Sequence, residues 1–144
     1  YAHLKQYDKA VEDINTWMLY NCRTTFDISI EDVEAIYGDM EYSEDANGDP
    51  LPASAYSTPK KRLHPSGFTV DDETQESLFH CILHMRRCET IMDGLRWQDI
   101  KRFGIEIAHN RAGETPDILR KDDLRRAFQL PDDVISAGLE ANPR

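Results

Sequence analysis

The stretch Thr69–Asp93, TVDDETQESLFHCILHMRRCETIMD, decides the fold. Leu78, Ile82, Met85, Cys88 (or Glu89) and Met92 recur at spacings of three and four, and Phe79, Leu83 and Ile91 widen the stripe. That period predicts one amphipathic helix over 69–93. Thr69 or Asp71 is placed to cap its start. Asp71, Asp72, Glu73 and Glu76 suit the positive end of the helix, and Gly94 suits its stop.

Upstream, Leu4, Tyr7, Val11, Ile14 and Met18 form a second apolar stripe at helical spacing, with Asp8 as the expected cap. Tyr7 to Ile14 resembles the second helix of a tetratricopeptide repeat, where an aromatic and then a small residue three later pack the helix pair. A lone half-repeat cannot bury its stripe. The helix is therefore expected to pack elsewhere in this chain, or the chain to be a fragment of a longer one. Ile28 to Tyr37 predicts a short helix with Ser29 as cap and Val33, Ile36 and Tyr37 on one side. Residues 38–67 hold Gly38, Gly48, Gly67 and prolines 50, 52, 59 and 65, and read as a long irregular loop.

Downstream, Leu95 to Arg102 is short and mixed, and Gly104 and Gly113-Glu114-Thr115-Pro116 are breaks. A hairpin is expected near Ile105–Ile107 and Ile118–Arg120. Asp122 to Phe128 reads as a helical turn, and Pro131 as the first position of a final helix through Ala137. The reading is one mainly α domain over 1–144, with repeat-like helices over 1–37, the loop over 38–67 and the central and C-terminal segments over 68–144.

The 144 residues carry a formal charge of −10. Residues 1–49 hold twelve acidic and three basic side chains, whereas 60–126 hold twelve and thirteen. The acidic excess belongs to the N-terminal third and disfavours nucleic acid as a partner. No apolar run approaches the roughly 20 residues of a membrane helix. Cys22, Cys81 and Cys88 form no disulfide framework. On a helix, Cys81 and Cys88 stand about 10 Å apart, beyond disulfide reach.

The densest polar cluster is Arg86, Arg87 and Glu89, then Asp93, Arg96, Trp97, Asp99, Lys101 and Arg102. Neighbouring carboxylates suit acid–base work, but so many cations hold them ionised, so a structural ion network is favoured over catalysis. Trp97 is expected in the core rather than against a sugar ring. His80, His84 and Cys88 have helical spacing compatible with zinc but no obvious fourth ligand, and ordinary helix packing is preferred. Asp45-Ala46-Asn47-Gly48-Asp49 is like the start of a calcium loop. Its glycine is one place early, and Tyr56 stands where the closing glutamate belongs, so an acidic turn is expected. No phosphate loop, nucleophile elbow or cysteine–histidine couple is present in the sequence, and neither an enzyme nor a cofactor is expected.

Arg86-Arg87-Cys88-Glu89, then Gly94-Leu95-Arg96-Trp97-Gln98-Asp99-Ile100-Lys101-Arg102, resembles the C-terminal region of the SusD/RagB family of nutrient-binding outer-membrane lipoproteins. The family pattern is two arginines, a glutamate, a glycine five later, Arg-Trp-x-Asp, an aliphatic residue and one or two basic residues. Asp93 stands where the family commonly has glutamate, Leu95 where many members have histidine, and Gln98 where an aromatic is usual. Lys60-Lys61, Gly104-Ile105-Glu106-Ile107, Leu130-Pro131 and Glu140-Ala141-Asn142-Pro143 also fit, although the second proline of the closing segment is absent. Family members carry tetratricopeptide-like helices, which agrees with Tyr7–Ile14.

The resemblance implies the C-terminal portion of a longer, mostly helical protein, tethered by a lipid at the cell-surface face of the outer membrane. It implies no catalysis. The protein would bind a glycan or oligopeptide and pass it to a TonB-dependent outer-membrane transporter. Family ligand contacts come largely from regions before this segment, so no ligand residue is carried over. Tyr42 and Tyr56, in the long loop, are the candidates for ligand or transporter contact. The other reading is a helical-repeat scaffold that binds a protein partner.

Overall fold

A computed structural model describes residues 1–23, 26–52 and 60–142. Among them the chain is mainly helical. A 3₁₀ turn, Ala2–Leu4, leads into α1 (Tyr7–Asn21); α2 (Ile30–Tyr37), α3 (Glu73–Glu89) and α4 (Arg96–Arg102) follow. An antiparallel hairpin, β1 (Ile107–His109) with β2 (Asp117–Leu119), pairs Ala108 with Ile118. A 3₁₀ turn at Leu124–Arg126 and α5 (Asp132–Ser136) complete the order.

α3 is the centre of this arrangement. Its face buries Gln75, Ser77, Leu78, Phe79, Cys81 and Leu83, with Leu78 wholly inaccessible. Ala10, Val11 and Ile14 of α1 and Val33 of α2 join the same core. Phe68, Phe79 and Phe103 meet as a trio with ring centroids 5.4–5.9 Å apart, a spacing at which tilted and edge-on aromatic pairs attract.

The cap of α3 is Asp72, one residue beyond the expected Asp71; its carboxylate accepts from the Gln75 amide at 2.8 Å. The Tyr7 hydroxyl donates to the same carboxylate at 2.7 Å, so the start of α1 is tied to the start of α3. Asp8 lies inside the first turn of α1 and does not cap it; Gln6 holds the cap position without a side-chain bond. In α2, Ser29 caps as expected, within a capping box closed by Asp32. Asn15 clamps the approach to α2, exchanging two 3.0 Å bonds with the backbone of Ile28.

The helix read over 69–93 is shorter than its periodicity implies. It stops at Glu89, where the Thr90 hydroxyl and amide both bond to the Arg86 carbonyl. Beyond this Ile91 and Met92 are exposed, Met92 at 91%, so their helical spacing has no surface to bury against. The hairpin sits two residues later than expected on its first strand and one earlier on its second. Pro131 precedes α5 as its cap instead of opening it.

α4 ends in a Schellman motif: the Gly104 amide bonds to the Lys101 carbonyl and the Ile105 amide to that of Ile100. Gly104 has φ +58°, and an added Cβ would stand 2.2 Å from the His64 carbonyl oxygen. The backbone is held there because the His64 amide bonds to the Phe103 carbonyl at 2.7 Å. Gly104→Ala is therefore expected to lower the unfolding free energy by about 2 kcal/mol or more, from left-handed strain plus the collision. Gly113→Ala, at φ +79° with open space around it, should cost only about 1 kcal/mol. Urea unfolding of the two variants measures the difference, and equal costs would contradict the close approach.

Candidate functional site

Arg86 in the last turn of α3 and Asp99 in the first turn of α4 meet as an ion pair. Nη2 lies 3.0 Å from Oδ1, and Nε lies 3.1 and 3.3 Å from the two carboxylate oxygens. Asp99 is 3% exposed while Arg86 reaches toward solvent, so the pair fixes a buried carboxylate with a half-exposed cation. Glu89, three residues from Arg86, takes another direction: it accepts the indole N–H of Trp17 on α1 at 3.2 Å. The two charges thus connect α3 to different neighbours. Between α1 and α3 runs a groove of about 210 Å³, lined by Ala10, Ile14, Trp17, Ile82, Met85 and Glu89.

Arg87 and Arg96 face a different place, a basic cavity between α2, α3 and the Lys60–Leu63 segment. Burial and then the charge of Arg87 lower the pKa of Arg96, against an opposing contribution from Asp99. Trp97 is half-buried, its ring centroid 6.2 Å from that of Phe128.

Tyr42 is tied into the protein. Its hydroxyl donates to Glu76 at 2.6 Å, and the Lys60 ammonium and Arg62 guanidinium lie over its ring at 4.8 and 4.1 Å. Cation–π contact of this kind uses the surface a sugar would need. Tyr56 lies outside the described residues. Asp45 closes a turn by accepting the amides of Asn47 and Asp49 at 2.8 and 2.9 Å.

His80, His84 and Cys88 do not converge. His80 is buried, His84 Nδ1 is 2.9 Å from the Tyr37 hydroxyl, and Cys88 is exposed. Among the described residues no three His, Cys, Asp or Glu side chains gather as a metal set. Burial pushes the Cys81 thiol up to about 11, which leaves it protonated and a poor nucleophile at neutral pH.

Two buried cations gave no sign in the sequence. Lys60 is 6% exposed, and its ammonium donates to the carbonyls of Tyr37 and Gly38 at 2.8 and 3.2 Å. Arg126 donates to four backbone carbonyls, those of Ile100, Ile105, Leu119 and Arg120, and so joins α4 to the hairpin. Neither has a periodic neighbour that would mark it as inward-facing. Comparison of the chain with protein-family models, curated proteins and solved structures finds no match.

His80 has a pKa lowered to about 4, chiefly by burial, with Glu76 opposing and Lys60 assisting. The folded protein thus favours neutral His80, while the unfolded chain takes its proton near pH 6.5. Stability from this group is complete above pH 6.5 and is lost as the pH falls toward 4. His84, shifted in the same direction by burial, adds to that fall. Between pH 7.5 and 5, His80 alone should cost about 2 kcal/mol. Unfolding free energies measured across that range should drop in the wild type and drop much less in His80→Gln; parallel curves would contradict this assignment.

Proposed function

We propose that this chain is the C-terminal portion of a SusD/RagB-like surface lipoprotein. It binds a glycan or oligopeptide without altering it chemically and works with a TonB-dependent outer-membrane transporter. The observation that carries the reading is the pattern from Arg86 to Arg102, matched in register across α3, the turn and α4.

The ion pair of Arg86 with Asp99 supports it, because it gives two members of the pattern a structural use that needs no substrate. No helix among the described residues is long and apolar enough to cross a membrane.

Exposed apolar side chains support a protein that docks. Exposed Leu19, Tyr20 and Phe26 lie toward the end of α1 and just after it, and the α1–α3 groove is open. The same groove favours the second reading, a helical-repeat scaffold for a protein partner.

One experiment separates them. The full protein, tagged and purified from detergent-solubilised outer membranes, is expected to bring a TonB-dependent transporter with it and to be cleaved by protease added to intact cells. A protease-protected protein found in the cytosol, bound to other helical proteins, would favour the scaffold and overturn the transport reading.

A further inference from the structure

We propose that the groove between α1 and the Phe26–Asp27 segment receives a basic, amphipathic stretch of a protein partner. The groove measures about 450 Å³, larger than the one between α1 and α3. Its apolar lining is Val11, which is buried, with Leu19 and Phe26, which are 62% and 67% exposed. The side opposite α1 is fixed, because Asn15 exchanges two bonds of 3.0 Å with the backbone of Ile28, next to Asp27.

The polar lining decides the occupant. Asn15 is committed to Ile28, and the Thr16 hydroxyl donates to the Glu12 carbonyl at 2.9 Å. The rest of the described polar lining is Asp8, Glu12 and Asp27, carboxylates that accept hydrogen bonds and offer none. None of the three has an ion-pair partner among the described residues. Two of the basic side chains in this third of the chain are engaged elsewhere: Lys5 with Asp71 and Asp72, and Lys9 with Gln6 and the Tyr1 ring. The third, Arg23, is exposed past the end of α1 and is not in the described lining. Outside the described residues the only charged side chain is that of Arg144.

Asp8 has a use within the chain, since a negative charge suits the first turn of a helix. Glu12, one turn further on, lacks that benefit and repels Asp8. Cations brought by a partner relieve this repulsion, and apolar side chains beside them cover Leu19 and Phe26. The complement is therefore a segment in which Lys or Arg is interleaved with apolar residues. A free polyamine would leave the apolar lining in water, and an anionic surface would be repelled.

The test selects phage-displayed random peptides of about twelve residues on the immobilised full-length protein at low ionic strength. No transporter enters the selection, so its outcome is independent of the transport reading. Enriched peptides are expected to carry a net positive charge with apolar residues interleaved. As synthetic peptides they should bind with roughly micromolar dissociation constants. Asp8→Asn/Glu12→Gln/Asp27→Asn should weaken them about tenfold or more, as should Leu19→Ser with Phe26→Ser. A control of equal net charge, Glu41→Gln/Asp93→Asn/Glu140→Gln, should bind as the wild type does, because those exposed carboxylates lie outside the groove. The wild-type selection stands alone if a variant fails to fold. No enrichment, or enrichment of peptides without net positive charge, overturns the proposal. Equal affinity for the groove variant and its control overturns it as well, since the peptides would then follow the charge of the whole chain. A wild-type dimer in sedimentation equilibrium that Leu19→Ser dissolves would give the groove to a second copy, which also overturns the proposal.

Discussion

α3 has to be held at both ends, and the rest of the structure depends on how this is done. At its start, the Asp72 carboxylate caps the helix and also receives the Tyr7 hydroxyl and the Lys5 ammonium, the latter at 3.3 Å. The backbone bond from Gln75 and the Tyr7 hydroxyl hold the pKa of Asp72 below the usual carboxylate range. Gln75 itself is buried and reaches the Ala2 carbonyl at 3.2 Å, so the N-terminal turn is fastened to the same place. At its far end, Arg86 reaches Asp99 and directs α4 back along the core. Between these ties Leu78, Phe79 and Leu83 face α1, α2 and the aromatic trio. A helix fixed at its ends and buried along one face gives the short helices a surface on which to form, which their own length does not provide.

The parts of the fold that were legible in the sequence are those set by local chemistry. Ser29 followed by Asp32 encodes a capping box within four residues, and the box forms. Leu78, Phe79 and Leu83 encode a helix face by spacing, and that face is buried. Gly104 encodes a chain reversal, which is the Schellman turn after α4. What was not legible depends on long-range partners. The periodicity of 69–93 continues to Met92, but the surface it would need is missing past Thr90. Asp8 and Asp72 look alike as caps, and only Asp72 stands before a helix start. Lys60 looks like a loop lysine; burial comes from the carbonyls of Tyr37 and Gly38, more than twenty residues earlier.

The candidate site was legible in composition more than in pairing. Spacing on a helix makes Arg86 and Glu89 neighbours, yet they serve different contacts, with Asp99 and with Trp17. Arg87 and Arg96 lie on another face and line the cavity with Lys60 and Lys61. One cluster in the sequence therefore becomes two environments in space, an ion pair that joins α3 to α4 and a cavity wall that carries Arg87 and Arg96. The first joins elements, and the second lies on the opposite side of α3 from the α1 groove.

The Arg86–Asp99 pair links α3 to α4. A double-mutant cycle with Arg86→Met, Asp99→Asn and the combined variant tests it most directly by urea unfolding. Arg86→Met should be the more damaging single change, because it leaves the buried Asp99 carboxylate without its partner at a cost of about 1–3 kcal/mol. The two positions are expected to couple by about 1 kcal/mol or more. Additive effects, with coupling under about 0.3 kcal/mol, would show that the pair does not hold the two helices together.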